Sequence, residues 1–275
     1  MHSYLDIRTL SFISGIISLI LCICMVHVFH SRKTYSGFGH WAAASFLNCF
    51  GSIFLGMRGI FPDFVSVVIA NTLLVAASGL IAYGIEIFVD STRRRGIFLS
   101  LAVGLFVSFI YFAYLSPNVN ARIIIISAML AMFSGYSAYI VHHHIPQLLD
   151  DQHVMLTTVF GIQAVSFALR TLATTFLEGP IVDFMQASAF HGVAFVVLFG
   201  GNIFVVMGLI ILNFQRVEKD LLTAMGEVRI LQGLITICSS CKQIRDDKGI
   251  WNQIETYTAP PKILVHITDR EDGLF

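Results

Sequence analysis

Charge is what this sequence has least of. Asp, Glu, Lys and Arg make up only 12% of its 275 residues, while 56% are hydrophobic and the mean hydropathy is +0.78. Soluble domains carry about a quarter charged residues, so lipid is indicated as the main solvent. The formal net charge is zero, which gives no bulk attraction to nucleic acid. Five lysines occur, at 33, 219, 242, 248 and 262, and none lies in a long apolar run. A retinal Schiff base inside a helix bundle needs such a lysine, so rhodopsin-type photochemistry is not expected. Phosphate-binding glycine loops, nucleophile elbows and metalloprotease helix motifs are also missing. The polar tail, about 60 residues long, is too short for a kinase or cyclase domain. Enzymatic activity therefore has no visible home.

Cysteines are few and placed apart. Cys22, Cys24 and Cys49 fall in apolar runs, where a small soft side chain packs well, and only Cys238 and Cys241 stand in polar sequence. A disulfide framework is not indicated. The first apolar stretch lacks a basic leader and a small-residue cleavage site, so it is expected to be a retained anchor rather than a signal peptide.

Long apolar runs are what the sequence has in abundance. Crossing the hydrocarbon core takes about 20 mostly apolar residues in a helix. Seven runs qualify, at 10–29, 38–57, 64–89, 96–115, 121–141, 154–177 and 189–213, with polar or proline-bearing breaks between them. The expected fold class is an all-α membrane protein, a seven-helix up-down bundle over residues 1–213, because lipid cannot satisfy bare backbone groups. The breaks after runs one, three, five and seven carry Arg32, Lys33, Arg93, Arg94, Arg95, Arg216 and Lys219; the opposite side carries Arg8, Arg58 and Arg122. The positive-inside rule then places the amino terminus outside and the carboxyl terminus in the cytoplasm.

From Phe214 the chain turns charged and helix-prone. Phe214, Val217, Leu221, Ala224, Val228, Leu231 and Ile235 follow alternating steps of three and four, a heptad seam over residues 214–235. Two arrangements fit it: a parallel dimeric coiled coil, or one amphipathic helix lying on the membrane or on its own bundle. Residues 236–275 are expected to form a short irregular tail.

Ionisable groups at membrane depth are expensive and point to function. Arg170 stands inside the sixth run, toward the outer side, and Arg58, Asp63, Glu178, Asp183 and His191 belong at the same outer face. Together they make a candidate ligand or ion mouth; the alternative is that Arg170 pairs with one carboxylate and only pins helices. Glu86, near the end of the third run, is expected to reach the interface. The amides Asn48, Asn71, Gln163 and Asn202 suit interhelical hydrogen bonding. His142, His143 and His144 are expected in the break between runs five and six, with no firm metal-ligand spacing. Cys238-Ser239-Ser240-Cys241 supplies half of a tetrahedral zinc site. His266, or the same pair from a second chain, can extend it; binding no metal, or a redox role, stays open.

Two stretches carry a resemblance. Arg58-Gly59-Ile60-Phe61-Pro62-Asp63 with Ala70-Asn71-Thr72-Leu73-Leu74 resembles the seven-helix membrane regions ahead of bacterial diguanylate cyclases and histidine kinases. The second stretch is Ile237-Cys238-Ser239-Ser240-Cys241-Lys242, then Ile244-Arg245-Asp246-Asp247-Lys248-Gly249, then Trp251-Asn252-Gln253-Ile254-Glu255. It is similar to a cysteine-containing tail module of bacterial sensor proteins. That module continues to a second cysteine pair, whereas this chain reads TAPPKILVHITDREDGLF after Tyr257, as a truncation or frameshift would produce. The resemblance implies a sensory protein of the bacterial inner membrane. It also implies a histidine kinase, receiver or cyclase as signalling partner, while a homodimer is expected from the heptad seam. A transporter or channel for a small solute, and a passive anchor or scaffold, are the competing expectations.

Overall fold

The computed structural model describes residues 7–89, 95–149, 153–179, 181 and 189–234, and three two-residue strands in the tail. Asp183, Cys238 and Cys241 lie outside the described residues, and so does Ile235 of the seam. The chain divides into two compact units, Met1–Val217 and Glu218–Phe275.

Helices dominate. They are α1 (Ile7–Ser31), α2 (Phe38–Gly56), α3 (Ala70–Phe88), α4 (Arg95–Ile110), α5 (Val119–Leu149), α6 (Val154–Phe176) and α7 (Ala189–Leu234). A π-helical stretch, Phe64–Ile69, leads into α3, and a second, Tyr111–Leu115, ends α4. Among the described residues, six helical segments are long and apolar enough to cross a membrane. The segment outside that set is α2, which carries His40, Ser45, Asn48 and Ser52 and buries eleven of its nineteen residues. A helix sheathed by its neighbours meets little lipid and tolerates these polar groups.

The pattern of exposure identifies the solvent. On α1, Ser11, Ser14 and Ser18 are buried while Ile16 and Ile23 are about 60% exposed (62% and 61%). On α6, Gln163, Arg170 and Thr174 are buried while Val165, Leu169 and Leu172 face outward. Water would reverse this arrangement; hydrocarbon favours it. The six apolar helices thus fit a multi-pass membrane protein in contact with lipid.

Small residues let α1 and α2 approach closely, as expected where lipid supplies no hydrophobic drive between helices. Asn48 donates to Ser18 Oγ at 3.0 Å, Ser14 and Ser52 hydroxyls meet at 3.4 Å, and Cys49 Sγ reaches the Gly15 carbonyl at 3.6 Å. Several other hydroxyls, among them Ser45, Thr72, Ser78 and Thr171, donate to the carbonyl four residues back in their own helix. This satisfies them without water.

The helices alternate in direction. At the near face, where α1 begins, Arg8 donates to the Arg58 carbonyl after α2, and Asn120 at the start of α5 bonds Gly179 and Ile181 after α6. At the far face, Asn213 of α7 accepts from the Tyr35 N–H at 3.0 Å and donates to the Lys33 carbonyl at 3.2 Å. Arg216, one turn on, donates to the Phe88 carbonyl and stacks 4.3 Å from the Tyr35 ring. It thereby satisfies one of the open carbonyls at the end of α3. A core of Met25, Phe38, Trp41, Ile85, Phe88 and Leu209 sits behind this contact.

Three sequence expectations change. The fifth helix does not stop near residue 141 but continues to Leu149 through Pro146, so His142–His144 are helical. Successive helical residues point about 100° apart, yet the His142 and His143 rings meet edge to face with centroids 4.9 Å apart. Glu86 does not reach an interface: it is wholly buried and accepts from the Tyr136 hydroxyl across α3 and α5. The tail is not wholly irregular. Thr236–Ile237, Ile244–Arg245 and Trp251–Asn252 pair antiparallel in sequence order, with Ile237 opposite Ile244 and Arg245 opposite Trp251. The connection between the first two strands, residues 238–243, carries both tail cysteines.

Candidate functional site

Arg170, Thr174 and Glu178 recur every four residues, which puts them on one side of α6 and its end. That side faces α7. Arg170 Nε donates to His191 Nδ1 at 3.0 Å, and His191 Nε2 lies 2.9 Å from Glu178 Oε2. The Thr174 hydroxyl donates to the same carboxylate oxygen at 3.1 Å. Because Nδ1 accepts from an arginine, the ring proton of neutral His191 belongs on Nε2, facing Glu178. The histidine thus links a cation on α6 and an anion just past its end. Arg170 and His191 are 3% and 0% exposed, so this is an interior network. The Arg170 guanidinium also stands 5.4 Å from the centre of the Phe195 ring, a cation–π distance.

Arg170 further lines a cavity of about 40 Å³ at the near face. Arg58, Arg122 and Asn71 line it too, and the other nine lining residues are aliphatic or aromatic. Each arginine comes from a different part of the chain. Arg58 is set by the turn after α2, where the Ile60 and Phe61 N–H groups both return to the Met57 carbonyl. Gly59 there takes φ +86°, a conformation costly for side-chain-bearing residues. Arg122 comes from the first turn of α5, and Arg170 from α6. Arg58 acts on Arg122 as a like charge and Asp63 as an opposite one.

The π-helical stretches frame this cavity. Val67 in the first and Asn71 just after it are wall residues, and Phe109, two residues before the second stretch, is another. Such insertions re-aim side chains and are frequent at functional sites. Asn71 donates to the Val67 carbonyl at 2.6 Å, so it serves its own helix rather than an interhelical bond.

Of the residues singled out in the sequence, Arg170, Glu178 and His191 form one network, and Arg58 shares the cavity with Arg170. Asp63 is exposed and does not line the cavity. Asp183 is outside the described residues. Sequence reasoning passed over Arg122, counting it only as a topological charge, and Thr174. The available signal for Arg122 was its position at the same end of the bundle as Arg58.

A second cavity, about 30 Å³, lies deeper among the helices and is lined by Asn48, Ser134, Ser137, Gln163 and Asn202 with apolar neighbours. Gln163 reaches the Leu198 carbonyl across to α7 at 3.5 Å. Among the described residues, no three histidine, cysteine or carboxylate side chains come together to hold a metal. No protein-family model matches the chain, and neither a curated protein nor a solved structure is similar to it.

Proposed function

We propose that the chain is a membrane-embedded sensory protein whose bundle responds to a ligand at the near face and passes the change along α7. One observation carries this reading: α7 is a single helix from Ala189 to Leu234. Its first turns hold His191 and Phe195 of the arginine network, and its later turns hold Asn213 and Arg216. Movement at one end of a continuous helix is transmitted to the other at little cost.

In this reading all seven helices cross the bilayer, α2 included, because it packs lengthwise between α1 and α3. The near face is the cell exterior and the far face the cytoplasm, as the arginine distribution asks. The exposed Phe214 and Leu221 on α7 suit pairing with a second copy through the heptad seam. A histidine kinase, receiver or cyclase is the class of partner, and the inner membrane the location. Cys238 and Cys241 have the spacing of half a tetrahedral zinc site. Two chains joined at the seam would supply four thiolates. Inserting four residues after Lys219 rotates everything beyond it by about 40° and breaks the 3.5-residue repeat. Output from the native or a fused partner is expected to change, and an unchanged output ends the relay reading.

The two polar cavities give transport of a small solute a specific basis. Vesicle flux that depends on substrate and disappears in Arg170→Ala would favour it over sensing. A passive scaffold would show lower stability but no altered signal in the same variant.

A further inference from the structure

From the near-face cavity we infer the ligand class: an aliphatic monocarboxylate, its headgroup on Arg58, Arg122 and Arg170 and its chain against the apolar wall. As the ligand of the site proposed above, it rests on the sensory reading for its consequence, though not for its binding.

Three arginines line this one cavity and no carboxylate-bearing residue does. Glu178 and Asp63 stand outside the wall: Glu178 acts as an opposite charge on Arg170 and accepts from Thr174, and Asp63 acts as one on Arg122. The Arg122 Nε is buried and makes no hydrogen bond within the protein. A buried charged donor without an acceptor is costly, and an anion in the cavity supplies one. Guanidinium forks match carboxylates in two parallel hydrogen bonds. The volume of about 40 Å³ accommodates a compact headgroup, since one water needs about 10–15 Å³ on this measure. The apolar remainder of the wall offers no partners for the hydroxyls of a sugar. The nine apolar wall residues, Phe109 and Phe195 among them, favour an aliphatic body over an inorganic ion.

The test uses the full chain purified in neutral detergent, with thermal unfolding followed as ligand is added. Hexanoate samples a water-borne acid and palmitate in the micelle a membrane-borne one; saturable stabilisation by either supports the assignment. Hexanamide and inorganic phosphate at the same concentrations are expected to be inert. Arg122→Gln is expected to raise the half-saturating concentration at least tenfold. If that variant does not fold, Arg58→Gln replaces it, because the Arg58 backbone carbonyl keeps its bond from Arg8. Failure of both acids to stabilise the protein overturns the inference. Equal stabilisation by hexanamide or phosphate does so too, as does unchanged affinity in the variant. None of these results touches the relay, which the insertion after Lys219 tests separately.

Discussion

Replacing Asn213 with leucine removes one side chain that serves two backbone groups of another segment. Asn213 is completely buried. Its Oδ1 accepts from the Tyr35 N–H and its Nδ2 donates to the Lys33 carbonyl. Leucine has nearly the same size and neither polar atom, so packing is kept while two backbone groups lose their partner. Leaving a buried donor unsatisfied costs about 1–3 kcal/mol. Taking about 2 kcal/mol, and a tenfold change per 1.4 kcal/mol, the opening equilibrium of the Tyr35 amide rises roughly thirtyfold. Hydrogen exchange at that amide, in detergent at constant pH, reads this directly. Asn213→Asp separates the two bonds, since it keeps an acceptor for Tyr35 and loses the donor for Lys33; Tyr35 exchange is then expected to stay near that of the parent. Equal Tyr35 protection in the parent and Asn213→Leu would refute the claim that Asn213 holds the α1–α2 connection to α7.

Other substitutions test other contacts. Glu178→Ala leaves Arg170 and His191 without their anion and is expected to cost about 1.5–3 kcal/mol, the range for a charged hydrogen bond; Glu178→Gln, which keeps an acceptor for Thr174, should cost less in thermal unfolding. Gly84→Ala brings a Cβ within 2.5 Å of Trp41 Nε1, an overpacking expected to cost about 1–3 kcal/mol. Combined with Trp41→Leu, its effect should be less than the sum of the two single changes, because the residues are in contact. Reporter fusions after residues 33, 95 and 216 are expected on the cytoplasmic side, and one after residue 118 on the exterior; the opposite result removes the proposed topology.

Much of the helix layout was legible because lipid imposes a length and a composition. The runs proposed at 64–89, 154–177 and 189–213 begin within a residue of helical segments in the structure. Where the reading stopped short, the cause was local. Pro146 and three histidines look like a break, yet α5 runs through them to Leu149. Glu86 looked like an interfacial charge because position along a helix is visible in sequence and the neighbour across it is not. Tyr136, fifty residues away, accounts for its burial.

The candidate site divides in the same way. Arg170 was conspicuous as an arginine in an apolar run, and His191 and Glu178 as polar groups at the matching end. Arg58 was placed at the outer mouth by its position along the chain, and Arg122 was visible only as a loop charge. Their convergence with Arg170 depends on three helices meeting at one level, with π-helical turns adjusting the wall, and no short-range pattern encodes that. The sequence by itself determined a lipid-compatible solvent and the helical class, since these depend on each segment's own transfer energy. Only the tertiary structure decided which polar groups meet, because pairing is a property of helix faces and depths brought together from distant parts of the chain.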